Sequence, residues 1–411
     1  MKPSSHHLRV AMVGSSLTRG GAEKQAVYMA RALFEAGVIM RFYYLGGGGH
    51  YETVLREIGV PVRQIHIPNK PWKILAKLVG ALRRLRPHIV LVHQFGDLRY
   101  AAIAGRFCNA LTLGGVRSDG WYELRTHGCL SRFMLRLTHG LISNSQHARQ
   151  TLESQGVLAE KLEVLPNVID LRDFDARRDL PLPVSLPSDR VVAAAVGSLQ
   201  PCKRFDRFLE AMALARRVEP ALAGVIAGRD LGAKAALQAK ADALGLGPPN
   251  VSFLGECHNV PALLARTAML VLTSEYEGFP NVILEAMAAR LPVITTPAGD
   301  AGLVVQHGRT GYVVEADNIQ GMADALIGLM RSPETRTTFG EAGRQRVEQE
   351  YDCATLPDRL LAVFERFARQ TRKVSVLREL DAQRRTHELK GEGGRNSALI
   401  GMARSTLQPF S

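Results

Sequence analysis

Two glutamates eight residues apart, Glu277 and Glu285, frame the segment of this chain best equipped for chemistry, EYEGFPNVILEAMAARLPVITT (275–296). A Gly278-Phe279-Pro280 turn follows the first, and a helical pattern opening at Asn281 carries the second two turns along. A helix start offers backbone N–H groups that have no intrahelical partner, together with the positive end of the dipole, so this one can take a phosphate. A carboxylate accepts bidentate bonds from a diol, which suits Glu277 to sugar hydroxyls and Glu285 to a ribose. Taken alone, the pattern describes equally well a strand, a tight turn and a surface helix with solvated glutamates.

The elements that must hold these residues are legible along the whole chain. Apolar, β-branched runs such as LRVAMVG (8–14), HIVLVH (88–93), VVAAAVG (191–197) and MLVLTS (269–274) alternate with helical patterns such as AEKQAVYMARALFEAG (22–37). That alternation means parallel sheets covered by helices on both faces. The stretch DARRDLPLPVSLPSD (175–189), with three prolines and no periodicity, reads as a linker between two such units. The expected division is a first domain at 1–187, a second at 188–354, a helix at 355–371 and a basic, disordered tail at 372–411.

Composition narrows the class. With 411 residues, 46% hydrophobic and 22% charged, the chain is a globular protein of two or three domains. No apolar run approaches a membrane span and MKPSSHHLRV lacks a signal core, so a cytoplasmic location is expected. Five cysteines without a C-x-x-C pair suggest reduced thiols and no metal site. The net charge of +13 is uneven: residues 1–187 hold 25 Lys+Arg against 14 Asp+Glu, net +11, while 188–371 hold 19 against 21, net −2. Only the first half is therefore built to meet an anionic surface or substrate. Zinc-finger spacing, aromatic RNP runs and basic zippers are all missing, so a nucleic-acid partner is not expected.

Read together with MVGSSLTRGGAEKQAVYMARAL, LISNSQHA, VLPNVIDLRDF, VGSLQPCKRFDRFLEAMA, VIAGRD, VSFLGE and HGRTGYVVEADN, the 275–296 segment resembles a retaining glycosyltransferase of family four, over about Arg9 to Arg369. The resemblance implies GT-B architecture: two Rossmann-like, doubly wound parallel-sheet domains facing a cleft, with the C-terminal helix returning to the first domain. It also implies transfer of a sugar from a nucleotide-diphosphate donor, with retention and without a cofactor or bound metal. The donor would sit on the second domain and the acceptor, a glycan or lipid-linked hydroxyl, mainly on the first. Bacterial surface polysaccharide or lipopolysaccharide assembly is the implied setting.

Carried over residue by residue, Glu277, Lys203 and His93 are the expected catalytic residues. Gly20 and Gly21, after the first strand, let the backbone approach the diphosphate closely, and Lys203 offsets charge on the departing nucleotide. Gly278, Phe279, Pro280, Asn281 and Glu285 complete the donor site. Where the family usually has an arginine this chain has Ser198, and Arg204 is the candidate substitute; Arg290 stands where glycine is common. His93 ends a strand at the edge where α/β sheets bind ligands, either near the transferred sugar or simply satisfying loop backbone groups. Arg117 and Asp119, with Ser118 between them, are expected to face the acceptor; Asn144 and Ser145 read as structural. Base and sugar selectivity are expected near Arg229, Phe253 to Glu256 and Glu275 to Phe279.

The segment KPWKILAKLVGALRRLR (70–86) carries six Lys or Arg and no acid, with Trp72, Leu75, Leu78, Val79 and Leu82 along one side of a helix. It can lie on an anionic membrane as a peripheral anchor or simply cover the sheet. Two rival functions keep the same fold: a nucleotide-sugar epimerase, which needs no acceptor, and a noncatalytic donor-binding subunit.

Overall fold

A computed structural model describes residues 7–68 and 70–384, apart from the side chains at 122, 123 and 126–129. The first domain is built on β1 (Arg9–Gly14), β2 (Ile39–Tyr44), β3 (Val62–Gln64), β4 (Ile89–Val92), β5 (Leu111–Val116), β6 (Gly140–Ser143) and β7 (Leu162–Val164). They form one parallel sheet in the order β3-β2-β1-β4-β5-β6-β7. The second is built on β8 (Val191–Val196), β9 (Leu222–Ala227), β10 (Val251–Gly255), β11 (Met269–Leu272), β12 (Val293–Thr295) and β13 (Gly311–Val313), in the order β10-β9-β8-β11-β12-β13.

Strands buried on both faces explain why these runs are continuously apolar. In β1, Val10 and Met12 face one core while Ala11 and Val13 face another; in β8, Val192 and Ala194 are divided from Ala193 and Ala195 in the same way. Strand order reverses between β1 and β4 and between β8 and β11. Sheets of this kind bind ligands at such switch points, outside the carboxyl ends of the strands. His93 follows β4, Ser198 lies just beyond β8, and the Ser274–Glu277 turn follows β11.

The domain crossing comes earlier than the prolines suggest. Leu165 and Val168 belong to the first core, whereas Ile169, Leu171 and Phe174 belong to the second, so the Leu171–Arg178 helix is part of the second domain, not of a first domain running to residue 187. Which core buries the apolar side chains sets the boundary; the prolines only mark a surface loop. The chain crosses back beside its outward path, with Ile169 N donating to Tyr351 O and Cys353 N to Ile169 O, both at 2.9 Å. The Leu356–Gln370 helix then buries Leu360, Phe364 and Phe367 in the first core, as expected of a returning helix.

Order also persists beyond Arg372. Residues 374–384 are helical, Val376 and Leu380 join the first core, and Gln383 Nε2 donates to Ala36 O at 2.6 Å. Two apolar anchors one helical turn apart suffice to dock a segment whose composition reads as polar. The rest of the expected tail, 385–411, lies outside the described residues.

Candidate active site

A cavity of about 830 Å³ opens between the carboxyl edges of the two sheets. Two helix N-termini from opposite domains converge on it, those of the Gly21–Glu35 and Asn281–Ala288 helices. Their approach is close: Asn281 Nδ2 donates to Gly21 O at 3.2 Å, and a Cβ at position 21 would lie 2.8 Å from that amide nitrogen. Any larger residue there would have to displace the Asn281 amide. Asn281 Oδ1 accepts from Asn167 Nδ2 at 2.8 Å and from Gln25 Nε2 at 3.2 Å, so the side chain ties the domains together while the first-turn N–H groups of its helix border the cavity.

Glu277 and Lys203 form a pair at the second domain's wall of the cavity. Lys203, at the end of the Pro201–Lys203 turn, puts Nζ 2.5 Å from Glu277 Oε1, and Ser274 Oγ donates to the same oxygen at 2.7 Å. The turn that carries Glu277 is locked against the first domain, since a Cβ on Gly278 would lie 2.8 Å from Ser118 O. Gly299, at φ +57°, packs against the carbonyls of Glu277 and Gly278 from the other side. Phe279 and Pro280 border the cavity beside Asn281.

Glu285 lies two turns into its helix, with Oε1 2.8 Å from Lys24 Nζ on the first domain. Burial works against the charge on Lys24, but the Glu285 carboxylate overrides it and holds the ammonium pKa above its ordinary value.

Other expected residues have different placements. Arg204, in a left-handed conformation, is held by Asp206 and Glu275 and does not border the cavity, whereas Ser198 does. His93 is 2% exposed, and its Nε2–H donates to Ala22 O at 2.7 Å, behind the glycine loop rather than within the cavity. Burial, then the nearby Arg117 charge, lowers its pKa well below the usual value, so it is a neutral imidazole propping the loop. Arg117 borders the cavity, with burial pushing its pKa down to about 10. Asp119 Oδ1 instead accepts from Trp121 N at 3.1 Å, at the start of the Trp121–Leu137 helix.

The sequence reading missed the residues that join the domains: Lys24, Gln25, Asn167 and Asp300. Asp300 is 3% exposed, and its carboxylate accepts from Gln146 N at 2.8 Å and His147 N at 2.9 Å, at the N-terminus of the first domain's Gln146–Ser154 helix. Each is a polar residue inside an apolar pattern, and no local periodicity announces a partner more than a hundred residues away.

Two doubly wound parallel sheets facing a cleft, closed by a returning helix, define the GT-B class of proteins. Residues 19–173 match the family described as Glycosyltransferase Family 4 and residues 178–346 the one described as Glycosyl transferases group 1. The chain belongs to the family-four type of GT-B glycosyltransferases. It is similar to N-acetyl-alpha-D-glucosaminyl L-malate synthase of Bacillus anthracis, 42% identical over 25% of this chain and 26% of that protein. It is also similar to D-inositol 3-phosphate glycosyltransferase of Mycobacterium bovis, 32% identical over 55% of this chain and 48% of that protein. The alignments thus span about a quarter and about half of these relatives. Among solved structures it resembles Anabaena HepE in complex with UDP and glucose (TM-score 0.74, 21% identity, 87% of this chain and 99% of that one). A second is the lipopolysaccharide outer core galactosyltransferase WaaB (TM-score 0.68, 17% identity, 87% and 99%). These likenesses speak for the fold.

Proposed function

We propose that this protein is a retaining, metal-independent glycosyltransferase that moves a sugar from a nucleoside-diphosphate donor to an acceptor hydroxyl in bacterial surface polysaccharide or lipopolysaccharide assembly. The observation that carries this reading is the Lys203–Glu277 pair set between two converging helix N-termini in one interdomain cavity. The N-termini and Lys203 receive the diphosphate, Glu285 the ribose diol, and Glu277 the hydroxyls of the transferred sugar. His93 acts at one remove by fixing the Gly20–Gly21 loop through Ala22, and the first-domain wall around Arg117 receives the acceptor, with Asp119 shaping that wall.

The step is a same-face substitution. The acceptor oxygen bonds to the anomeric carbon as the bond from that carbon to the diphosphate oxygen breaks, and the acceptor proton passes to the departing diphosphate. Lys203 and the helix dipoles stabilise the charge that grows on the leaving group, which is where fixed dipoles and charges accelerate a reaction most. Closure of the domains holds donor and acceptor in contact.

The uneven charge supports an anionic acceptor at a membrane face. The Pro71–Leu85 helix buries Ile74, Leu78, Ala81 and Leu82 against the sheet, while Trp72 is 66% exposed beside Lys73, with Lys77, Arg83 and Arg84 on the outer side. Trp72 therefore faces away from the leucines it was grouped with in the sequence. No helix among the described residues is long and apolar enough to cross a membrane. The deciding experiment is a thermal-shift screen of UDP-, GDP- and ADP-sugars, where a donor at 100 times its Kd stabilises by about 2.7 kcal/mol, followed by product analysis with and without acceptor. Turnover of the donor alone to an epimer, or no stabilisation by any of them, refutes the reading.

A further inference from the structure

The diphosphate site needs more positive charge than Lys203 alone provides. Lys203 is already matched by Glu277 at 2.5 Å, so the two together bring little net charge to a ligand carrying two or more negative charges. Ser198, bordering the same part of the cavity just beyond β8, brings none.

The neighbouring strand end supplies what is missing. Beyond β9 the chain runs through Gly228 and Arg229, pressed against the Gly197–Leu199 turn. Leu199 N donates to Arg229 O at 2.8 Å, and a Cβ on Gly228 would lie 1.8 Å from Gly197 O and 3.2 Å from Ser198 N. Only glycine allows so close an approach, and it brings Arg229 alongside Ser198. The adjacent carboxylate does not neutralise it: Asp230 Oδ1 accepts backbone N–H bonds from Gly232, Ala233 and Lys234 at 2.9–3.1 Å, which also fixes the loop. Arg229 is exposed and borders the cavity, and its guanidinium has no hydrogen-bond or ion-pair partner among the described residues. By contrast, Lys24, Arg31 and Arg177, which also border the cavity, are each paired with a carboxylate.

We propose that Arg229 is the second diphosphate-binding cation of the donor site, delivering from the end of β9 the charge that Ser198 lacks at the end of β8. The proposal rests on the reading of this cavity as a nucleoside-diphosphate-sugar site. A guanidinium suits the task because its fork can engage two phosphate oxygens at once.

The test is calorimetric titration of the full chain with UDP, GDP and ADP, carrying the tightest forward together with its monophosphate. Arg229→Gln should weaken the diphosphate about 10- to 100-fold, the scale of a lost charge-assisted contact, and the monophosphate distinctly less. Adding Ser198→Arg to Arg229→Gln should restore most of the lost affinity, because the charge returns from the adjacent strand end. Equal weakening of diphosphate and monophosphate would make Arg229 a base or ribose contact and overturn the proposal, as would an unchanged affinity or a double variant no better than Arg229→Gln. If the unaltered protein binds none of the three diphosphates, the donor-site reading falls and this proposal falls with it.

Discussion

Lys24 Nζ and Glu285 Oε1 stand 2.8 Å apart across the cleft, one from each domain, with side chains 24% and 14% exposed. The carboxylate assigned to the ribose is thus oriented by the opposite domain: one oxygen faces Lys24, leaving the other for the diol. Removing one member of a largely buried pair leaves an uncompensated charge, whereas removing both does not. Lys24→Met should therefore cost about 1–3 kcal/mol in urea melts, and Lys24→Met with Glu285→Gln less than Lys24→Met alone. Additive losses would mean that the two residues are not coupled.

Glu277→Ala and Lys203→Ala should each lower transfer about a hundredfold, the first by losing a hold on the transferred sugar and the second by losing a group that stabilises charge on the departing diphosphate. Both side chains lie at the cavity wall rather than in a core, so far-UV circular dichroism should be unchanged. Labelled-sugar transfer at saturating donor is the readout, and near-normal rates in both variants would remove them from the machinery.

The sheets are legible because parallel strands buried on both faces leave unbroken apolar runs; Glu277, Asn281 and Glu285 stand out because a strand end and a helix start fix them locally, whereas Lys203 is singled out only by the family resemblance, and all four border one cavity. Contacts between domains were not readable. Nothing in AEKQ marks Lys24 for Glu285, and nothing in QPCKRFD shows that Arg204 folds back on Asp206 and Glu275. Arg290 gained an explanation from the backbone: its φ is +60° just past the Asn281–Ala288 helix, a conformation glycine adopts without steric cost.

Asp300 predicts how the domains stay closed. Its carboxylate satisfies two N–H groups at a helix start in the other domain while its own backbone N donates to Gly278 O at 3.1 Å, linking the Glu277 turn to the first domain. Losing a cap of this kind costs about 1 kcal/mol, enough to shift a balanced opening equilibrium several-fold. Asp300→Ala should raise the radius of gyration in small-angle scattering and lower kcat/KM about threefold, the drop in closed fraction that about 1 kcal/mol produces in a balanced equilibrium. A scattering profile identical to that of the unaltered protein would show that the contact does not govern closure.

Acid should destabilise the protein through its buried histidines, His93 and His139 above all. Burial holds His93 well below 6.5, and burial together with the Lys373 charge lowers His139 to about 4. Below pH 6.5 the unfolded chain binds protons that the folded one refuses, so stability falls with pH. Asp97 acts in the opposite sense. Burial raises it to about 6 against a Ser15 hydrogen bond, so between pH 6 and 4 the folded state takes up its proton first. Asp97→Asn removes that offset, and urea melts between pH 4.5 and 6 should then show a decline steeper by up to about 1.4 kcal/mol per pH unit. An unchanged slope would place the Asp97 titration outside this window.

The last prediction concerns the outer face of the first domain. The Pro71–Leu85, Leu98–Phe107 and Trp121–Leu137 helices pack side by side and expose Trp72, Phe107, Trp121, Leu130 and Phe133 among Lys73, Lys77, Arg83, Arg84, Arg99, Arg125, Arg132 and Arg136. Aromatic rings that seat at a headgroup boundary, set among cations, are the composition that binds anionic lipid. The protein should sediment with vesicles containing anionic phosphatidylglycerol and not with purely zwitterionic ones. Binding should weaken steeply with salt, because the attraction is screened over about 8 Å at physiological ionic strength. Neutralising Lys73, Lys77, Arg83 and Arg84 together should reduce it, and Trp72→Ala should reduce the part that survives high salt. The basic stretch at 385–411 is a confounder. A shortened chain should end after Arg384 rather than at Thr371, because Val376 and Leu380 are part of the first core and cutting them away would expose it. Equal partition onto both kinds of vesicle, or onto neither, would leave the face without a membrane role and favour a soluble acceptor.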